Sequence, residues 1–270
     1  MFIVEDVSAQ HHPEQRLTHF WPNCEGYAHH VFFRPLKDVG GDWYSASNHN
    51  GALWIAVVDV AGKGRHARIL AGNLSTVWRL QESRKARERG NVAELMRVMN
   101  REILQCFDAD AFAAAVVARC LPSGNVTVGF AGDATAYSFS TGSELPSAYL
   151  TMSSRPLGMD NEIEIVQREI TLPPGAEILL ATDGLTEQAR SVVHAGSDNL
   201  RQFVKWSARR QPVIRRMMQW FASLRNKATT SMPLAAQRIE KLLEAVFAKH
   251  KQLDDITIVS VRRRSAHDGA

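Results

Sequence analysis

Residues 52–64 read Ala52-Leu53-Trp54-Ile55-Ala56-Val57-Val58-Asp59-Val60-Ala61-Gly62-Lys63-Gly64. Leu53–Val58 is too apolar for a strand with one wet face, so Asp59 stands where a buried strand emerges. Gly62 and Gly64 follow, and the pattern then turns helical. A strand that delivers a carboxylate into a glycine-rich turn also leaves backbone carbonyls free to bind a cation.

Working outward, Trp43–Ser47 and the turn Asn48-His49-Asn50-Gly51 make a β-hairpin with Ala52–Val60, because those turn residues tolerate positive φ. Ala28–Phe33 is an earlier strand, ended by Arg34-Pro35. Downstream, Ile69, Leu70, Leu74, Val77 and Leu80 recur at helical spacing and form one apolar stripe. The charged stretch Gln81–Arg89 continues or ends that helix, and Gly90-Asn91 breaks it. A second helix is predicted over Val92–Phe107. Strands at Ala111–Cys120, Val126–Ala131 and Thr135–Ser140 follow at hairpin spacing, joined by Pro122-Ser123-Gly124-Asn125 and Gly132-Asp133. Glu164–Thr171 and Glu177–Ala181 read as a further pair across Pro173-Pro174-Gly175. Asp198–Arg225 and Met232–Lys249 are helical in pattern, and Ile256–Val261 is a β-branched final strand. The organisation is a polar lead-in over 1–22, one domain over 23–264 and a polar tail over 265–270.

The chain has 270 residues, 45% hydrophobic and 22% charged, the make-up of an ordinary globular protein. No apolar run approaches the roughly 18 residues that span a bilayer. The first fifteen residues carry Glu5, Asp6 and Glu14 rather than the basic-then-apolar layout of a secretion signal, so a cytoplasmic location is expected. Cys24, Cys106 and Cys120 are odd in number and lack a Cys-x-x-Cys pair; two of them lie in apolar surroundings and read as core thiols. The histidine pairs His11-His12 and His29-His30 lack metal-site spacing. A net charge of +4, without a nucleic-acid-binding signature, gives no reason to expect nucleic acid.

The arrangement around Asp59 recurs. Ile178-Leu179-Leu180 leads into Thr182-Asp183-Gly184, Gly40-Gly41-Asp42 opens the first hairpin, and Asp254-Asp255-Ile256-Thr257 opens the last strand. An isolated Asp-Gly is ordinarily a turn. Strand-edge aspartates gathered from so far apart in sequence instead fit a site for hard divalent cations on a rigid sheet, and two such cations can hydrolyse a phosphate ester. No Cys-x5-Arg phosphate loop or Ser-His-Asp signature offers a protein nucleophile. Gly62-Lys63-Gly64 is not a P-loop, since the earlier glycine and the following Ser or Thr are missing.

These strings resemble one family. Val39-Gly40-Gly41-Asp42-Trp43-Tyr44, Val58–Gly64, Arg155-Pro156-Leu157-Gly158-Met159, Thr182-Asp183-Gly184-Leu185-Thr186-Glu187 and Asp254-Asp255-Ile256-Thr257 are similar to the metal-dependent protein phosphatases (PPM, protein phosphatase 2C-like), in their bacterial SpoIIE-like branch. Phe130-Ala131-Gly132-Asp133-Ala134 resembles the family's turn at that point, with Asp133 where histidine is usual. The resemblance implies an α+β fold: a central antiparallel β-sandwich flanked by helices on both sides, α-β-β-α. It also implies two Mn²⁺ or Mg²⁺ ions at one edge. Asp59 would bridge both ions and the Val60 carbonyl would bind one. Asp183 and Asp254 would complete one ion's ligands, with Asp255 as the alternative to Asp254, and Asp42 would hold the other ion directly or through water. Arg34 and Lys37 are both candidates for holding the substrate phosphate, and His66 is a candidate proton donor to the leaving oxygen.

The implied function is a phosphoserine/phosphothreonine protein phosphatase of bacterial signalling, acting on anti-sigma-factor antagonist proteins, with a separate activator or dimerisation as routes of control. In the family a helical element beside Asp59 and Gly62 can switch the metal site, which here is Ala67–Leu80. The alternatives are a catalytically silent module on the same fold that sequesters a regulatory partner, and a hydrolase of small phosphate esters. Arg201 to Lys227 contains eight basic and no acidic residues. It reads as a helix with a solvated basic face, or as a docking face for an acidic phosphoprotein or an anionic membrane.

Overall fold

The β2–β3 hairpin shows how local sequence sets the frame. In the computed structural model, β2 (Asp42–His49) and β3 (Ala52–Val60) turn on Asn50 and Gly51, both at positive φ (51° and 75°). That handedness matches the twist of the flanking strands. The structure describes residues 21–22, 24, 26–36, 40–62, 65–107, 111–143, 145–150, 152, 154–195 and 234–265. The basic stretch from Arg201 to Lys227 and the helix expected over Asp198–Arg225 therefore lie outside the described residues, as does Lys37.

The other strands are β1 (Tyr27–Arg34), β4 (Ala113–Cys120), β5 (Asn125–Ala131), β6 (Thr135–Phe139), β7 (Ala148–Tyr149), β8 (Val166–Thr171), β9 (Glu177–Ala181) and β10 (Ile256–Arg263). Among the described residues the helices are α1 (Arg65–Arg79), α2 (Gln81–Glu88), α3 (Val92–Cys106), α4 (Asp183–Ala195) and α5 (Ala235–Phe247). Two antiparallel five-stranded sheets result, ordered β2-β3-β4-β5-β8 and β1-β10-β9-β6-β7.

The unbroken apolar run in β3 follows from burial on both faces. Leu53, Ile55 and Val57 point between the sheets, toward Ile178, Leu180, Val259 and Val261. Trp54, Ala56 and Val58 point outward, where Leu70 and Leu74 of α1 and Leu95, Met96 and Met99 of α3 cover them. On the far side, Leu185 and Ala189 of α4 and Ile239 and Leu243 of α5 cover Leu179, Ala181, Ile256 and Ile258. The layers are thus helix, sheet, sheet, helix, and the expected α+β sandwich is the observed architecture. Cys120 is buried and Cys24 packs against the inter-sheet core, while Cys106 is exposed.

Two strand pairings differ from expectation. β5 and β6 do not form a hairpin: β6 pairs with β9, and the Gly132-Asp133 turn carries the chain from one sheet to the other. Likewise β8 pairs with β5 and β9 pairs with β10. Pro173 and Pro174 have no N–H with which to continue a ladder. The Gly175 N–H then donates to the Arg263 carbonyl of β10 at 2.8 Å, so the chain is captured by the opposite sheet. Two helices were also read differently. α2 is separate from α1, because Leu80 takes an extended backbone (φ −65°, ψ 160°). α4 starts at Asp183, in a stretch for which the sequence pattern gives no helix.

Ile55 is fully buried between the sheets, whereas Ile69 on α1 is 45% exposed. Ile55→Ala is expected to destabilise the protein by ~2–5 kcal/mol, and Ile69→Ala by less than ~0.5 kcal/mol. Urea denaturation of both variants checks this assignment of inside and outside.

Candidate functional site

Asp42 is the first residue of β2 and Asp59 the penultimate residue of β3, and the hairpin register sets them opposite each other. In the second sheet Asp183, separated from β9 by Thr182 alone, is the first residue of α4, and Asp254 precedes β10, the neighbour of β9. The two sheet ends are tied together. Thr182 Oγ1 and Thr257 Oγ1 both donate to Asp42 Oδ2, at 2.9 and 2.6 Å. The structure therefore brings Asp42, Asp59, Asp183 and Asp254 to one end of the sandwich.

Asp255 is engaged differently from its neighbour. Its Oδ1 accepts the Leu36 N–H and its Oδ2 the Gly41 N–H, both at 2.7 Å, which closes the β1–β2 loop onto the start of β10. The glycines of the motifs are small because these groups are close. A Cβ on Gly40 would stand 2.5 Å from Asp255 Oδ2, and one on Gly41 would stand 2.7 Å from the Val60 carbonyl oxygen. A Cβ on Gly184 would collide with the Asp255 carbonyl oxygen.

Gathering carboxylates without a cation raises their proton affinity. Burial pushes Asp42 well above the usual carboxylate range, the Asp59 charge adds to this, and the two threonine hydroxyls oppose it. Burial and the Asp254 charge push Asp59 up to about 6, against a side-chain hydrogen bond with Asp42. Burial, then the charges of Asp59, Asp133, Glu187 and Asp254, push Asp183 up to about 7. Asp133 and Glu187 were not among the expected site residues. Asp133 lies in the turn that crosses between the sheets, and Glu187 lies one helical turn beyond Asp183. The first was legible only as turn chemistry, and the second needed α4 to be recognised as a helix.

The donor set suits a hard divalent cation in kind, being all oxygen and in anionic excess. Among the described residues none of these aspartates is ion-paired with Lys, Arg or His. Among them, too, no three His, Cys, Asp or Glu side chains are already drawn together as a metal cluster. The carboxylates feel one another's charge without being collapsed into a cage.

The remaining candidates are placed as follows. The Arg34 guanidinium lies over the Phe247 ring of α5, 4.2 Å from its centroid. His66 is exposed on the first turn of α1. The Arg155–Met159 motif is a buttress for the site end of β4: Leu157 bridges Ala113, the register partner of Val60, and the Gly132 N–H donates to the Arg155 carbonyl. Buried Asn100 of α3 holds this loop, accepting the Gly158 N–H at 2.7 Å and donating to the Asp160 carbonyl at 2.9 Å.

Known proteins match this architecture. The RsbU and RsbW domains of Rv1364c from Mycobacterium tuberculosis superpose with a TM-score of 0.62 at 22% identity, covering 88% of this chain and 60% of that one. The chain thus spans about 60% of the length of that structure. The SiaA-PP2C domain of Pseudomonas aeruginosa gives a TM-score of 0.59 at 21% identity, covering 87% of this chain and 85% of its own. RsbX in complex with magnesium gives 0.59 at 16% identity, covering 90% and 98%. At such identities these structures establish the fold. Comparison with individually curated proteins gives no match. The profile of the family described as stage II sporulation protein E (SpoIIE) matches residues 49–264. With residues 49–264, most of this chain, matched by the family and the phosphatase-2C-type sandwich in place, the chain belongs to the SpoIIE family.

Proposed function

We propose that the protein is a Mn²⁺- or Mg²⁺-dependent phosphoserine/phosphothreonine phosphatase of bacterial signalling. The observation that carries this reading is the group of aspartates at one sandwich end, three with raised proton affinity and none ion-paired among the described residues. Such a site gains most from divalent cations. Support for the metal comes from the family and from a structural neighbour that holds magnesium.

In this reading Asp59, the Val60 carbonyl, Asp183, Asp254 and Asp42 hold two ions. When bound, the ions supply a water acidic enough to attack phosphorus near neutral pH and charge to stabilise the departing oxygen. The chain's own residues do the rest. β3 and β9 fix the carboxylates on rigid strand ends, and α1 and α4 leave directly from the site. Asp133 and Glu187 add negative charge at the rim. The substrate is proposed to be an anti-sigma-factor antagonist protein in the cytoplasm, the class implied by the sequence resemblance, and a separate activator is proposed to set the site. The alternative reading is a silent module on the same fold that sequesters a partner.

Hydrolysis of p-nitrophenyl phosphate should depend on Mn²⁺, and Asp59→Asn should lower kcat at least about 100-fold, about 2.7 kcal/mol. Mn²⁺ binding without turnover, for this substrate and for phosphorylated antagonist protein alike, would favour the sequestering module.

The raised carboxylates also set a pH dependence. Groups whose folded pKa lies above the unfolded value stabilise the metal-free protein at low pH, and that contribution is lost as pH rises. The window runs from ~4 for an ordinary carboxylate to about 7 for Asp183. In EDTA, the contribution of these groups to Tm should fall from pH 5 to pH 8. Added Mn²⁺ should raise Tm more at pH 8 than at pH 5. Thermal melts of wild type and Asp183→Asn check both signs, the variant showing the weaker dependence.

A further inference from the structure

Thr182 and Thr257 stand in two of the motifs, yet the proposed chemistry gives neither a part. Both are fully buried. A core threonine hydroxyl commonly bonds backbone close by in sequence. These two reach across 140 and 215 residues to the same atom, Asp42 Oδ2, at 2.9 and 2.6 Å. The Thr257 N–H donates to Thr182 Oγ1 at 3.1 Å, so that oxygen is already an acceptor and its one proton is committed to Asp42. Upstream of Asp42, the Gly41 N–H is held by Asp255 Oδ2. The backbone before Asp42 and one oxygen of its carboxylate are therefore both held by the second sheet, from Asp255 and Thr257 at the start of β10 and from Thr182 just after β9. Oδ1 is the remaining oxygen, on a side chain whose register partner is Asp59.

We propose that Thr182 and Thr257 are positioning residues for the metal centre: they lock one oxygen of Asp42 so that the other is presented to a divalent cation beside Asp59. This rests on the metal site of the phosphatase reading, though not on turnover. The chemistry requires two hydroxyl donors at a buried site, since valine of the same shape would leave Asp42 Oδ2 unsatisfied and free to rotate toward the cation.

The test is a double-mutant cycle on the full chain, read by calorimetric titration with Mn²⁺ and by kcat and KM on p-nitrophenyl phosphate. Thr257→Val should weaken Mn²⁺ affinity about 10–100-fold, the usual effect of losing a group that orients a ligand. Thr257→Ser, which restores the donor, should recover most of it. In an Asp42→Ala background Thr257→Val should produce no further loss, because the hydroxyl acts only through Asp42. If Thr257→Val does not fold, as judged by circular dichroism in EDTA, Thr182→Val is read by the same criteria. Wild-type affinity in the valine variant, or an equal loss in the Asp42→Ala background, overturns the proposal. A wild type that binds Mn²⁺ with this threonine dependence but hydrolyses no phosphoester sinks the phosphatase reading alone. A wild type that binds no Mn²⁺ sinks both.

Discussion

Mutual repulsion among carboxylates is the constraint on which the site end of this molecule turns. Asp42, Asp59, Asp183, Asp254 and Asp133 come from five separate places in the chain, and their charges are felt from one to the next. Left alone, such a group would spread apart or take up protons. The rest of the structure prevents spreading. Rigid strands, covered on both faces, deliver the side chains. Gly40 is hemmed in by the Asp255 carboxylate, and Gly41 and Gly184 by backbone carbonyls, so none of the three admits a side chain. Stored repulsion of this kind is useful to a protein that binds cations, because the ion then relieves a cost the fold has already met.

The same tightness divides the labour within Asp254-Asp255-Ile256-Thr257. Asp255 spends both carboxylate oxygens on backbone N–H groups of the loop before β2, Thr257 bonds Asp42, and Ile256 fills the core beneath α4 and α5. Asp254, its side chain not taken up by the loop, acts through its charge on both Asp59 and Asp183. A four-residue motif thus carries a site charge, a loop clamp, a core side chain and a hydrogen-bond donor.

Much of this was legible in the sequence, for reasons that can be stated. β3 could be read because a strand buried on both faces loses its alternation, and Asp59 because a carboxylate ending such a run is conspicuous. The β2–β3 hairpin was legible in Asn50-Gly51, whose positive φ values few other residues tolerate. The crossings after β5 and β8 were not, because Gly132-Asp133 and Pro173-Pro174-Gly175 look the same whether a chain folds back or passes to another sheet. α4 was hidden because Asp183-Gly184 is a turn by composition, and its helical course depends on Leu185 and Ala189 finding the outer face of β9 and β10. The threonine contacts join residues more than a hundred positions apart, and no local pattern encodes such a partner.

The position of β10 has a consequence for how the molecule comes into being. It is the last of the described strands, yet it lies between β1 and β9 rather than at an edge. During synthesis β1 therefore has no neighbour in its own sheet until β10 has been made, and non-local pairings of this kind close slowly. The clamp on the β1–β2 loop and one of the hydroxyls on Asp42 arrive with that segment. Before β10 emerges, a nascent chain can pair Asp42 with Asp59 in the β2–β3 hairpin, but the contacts that tie that pair to the second sheet wait for β10.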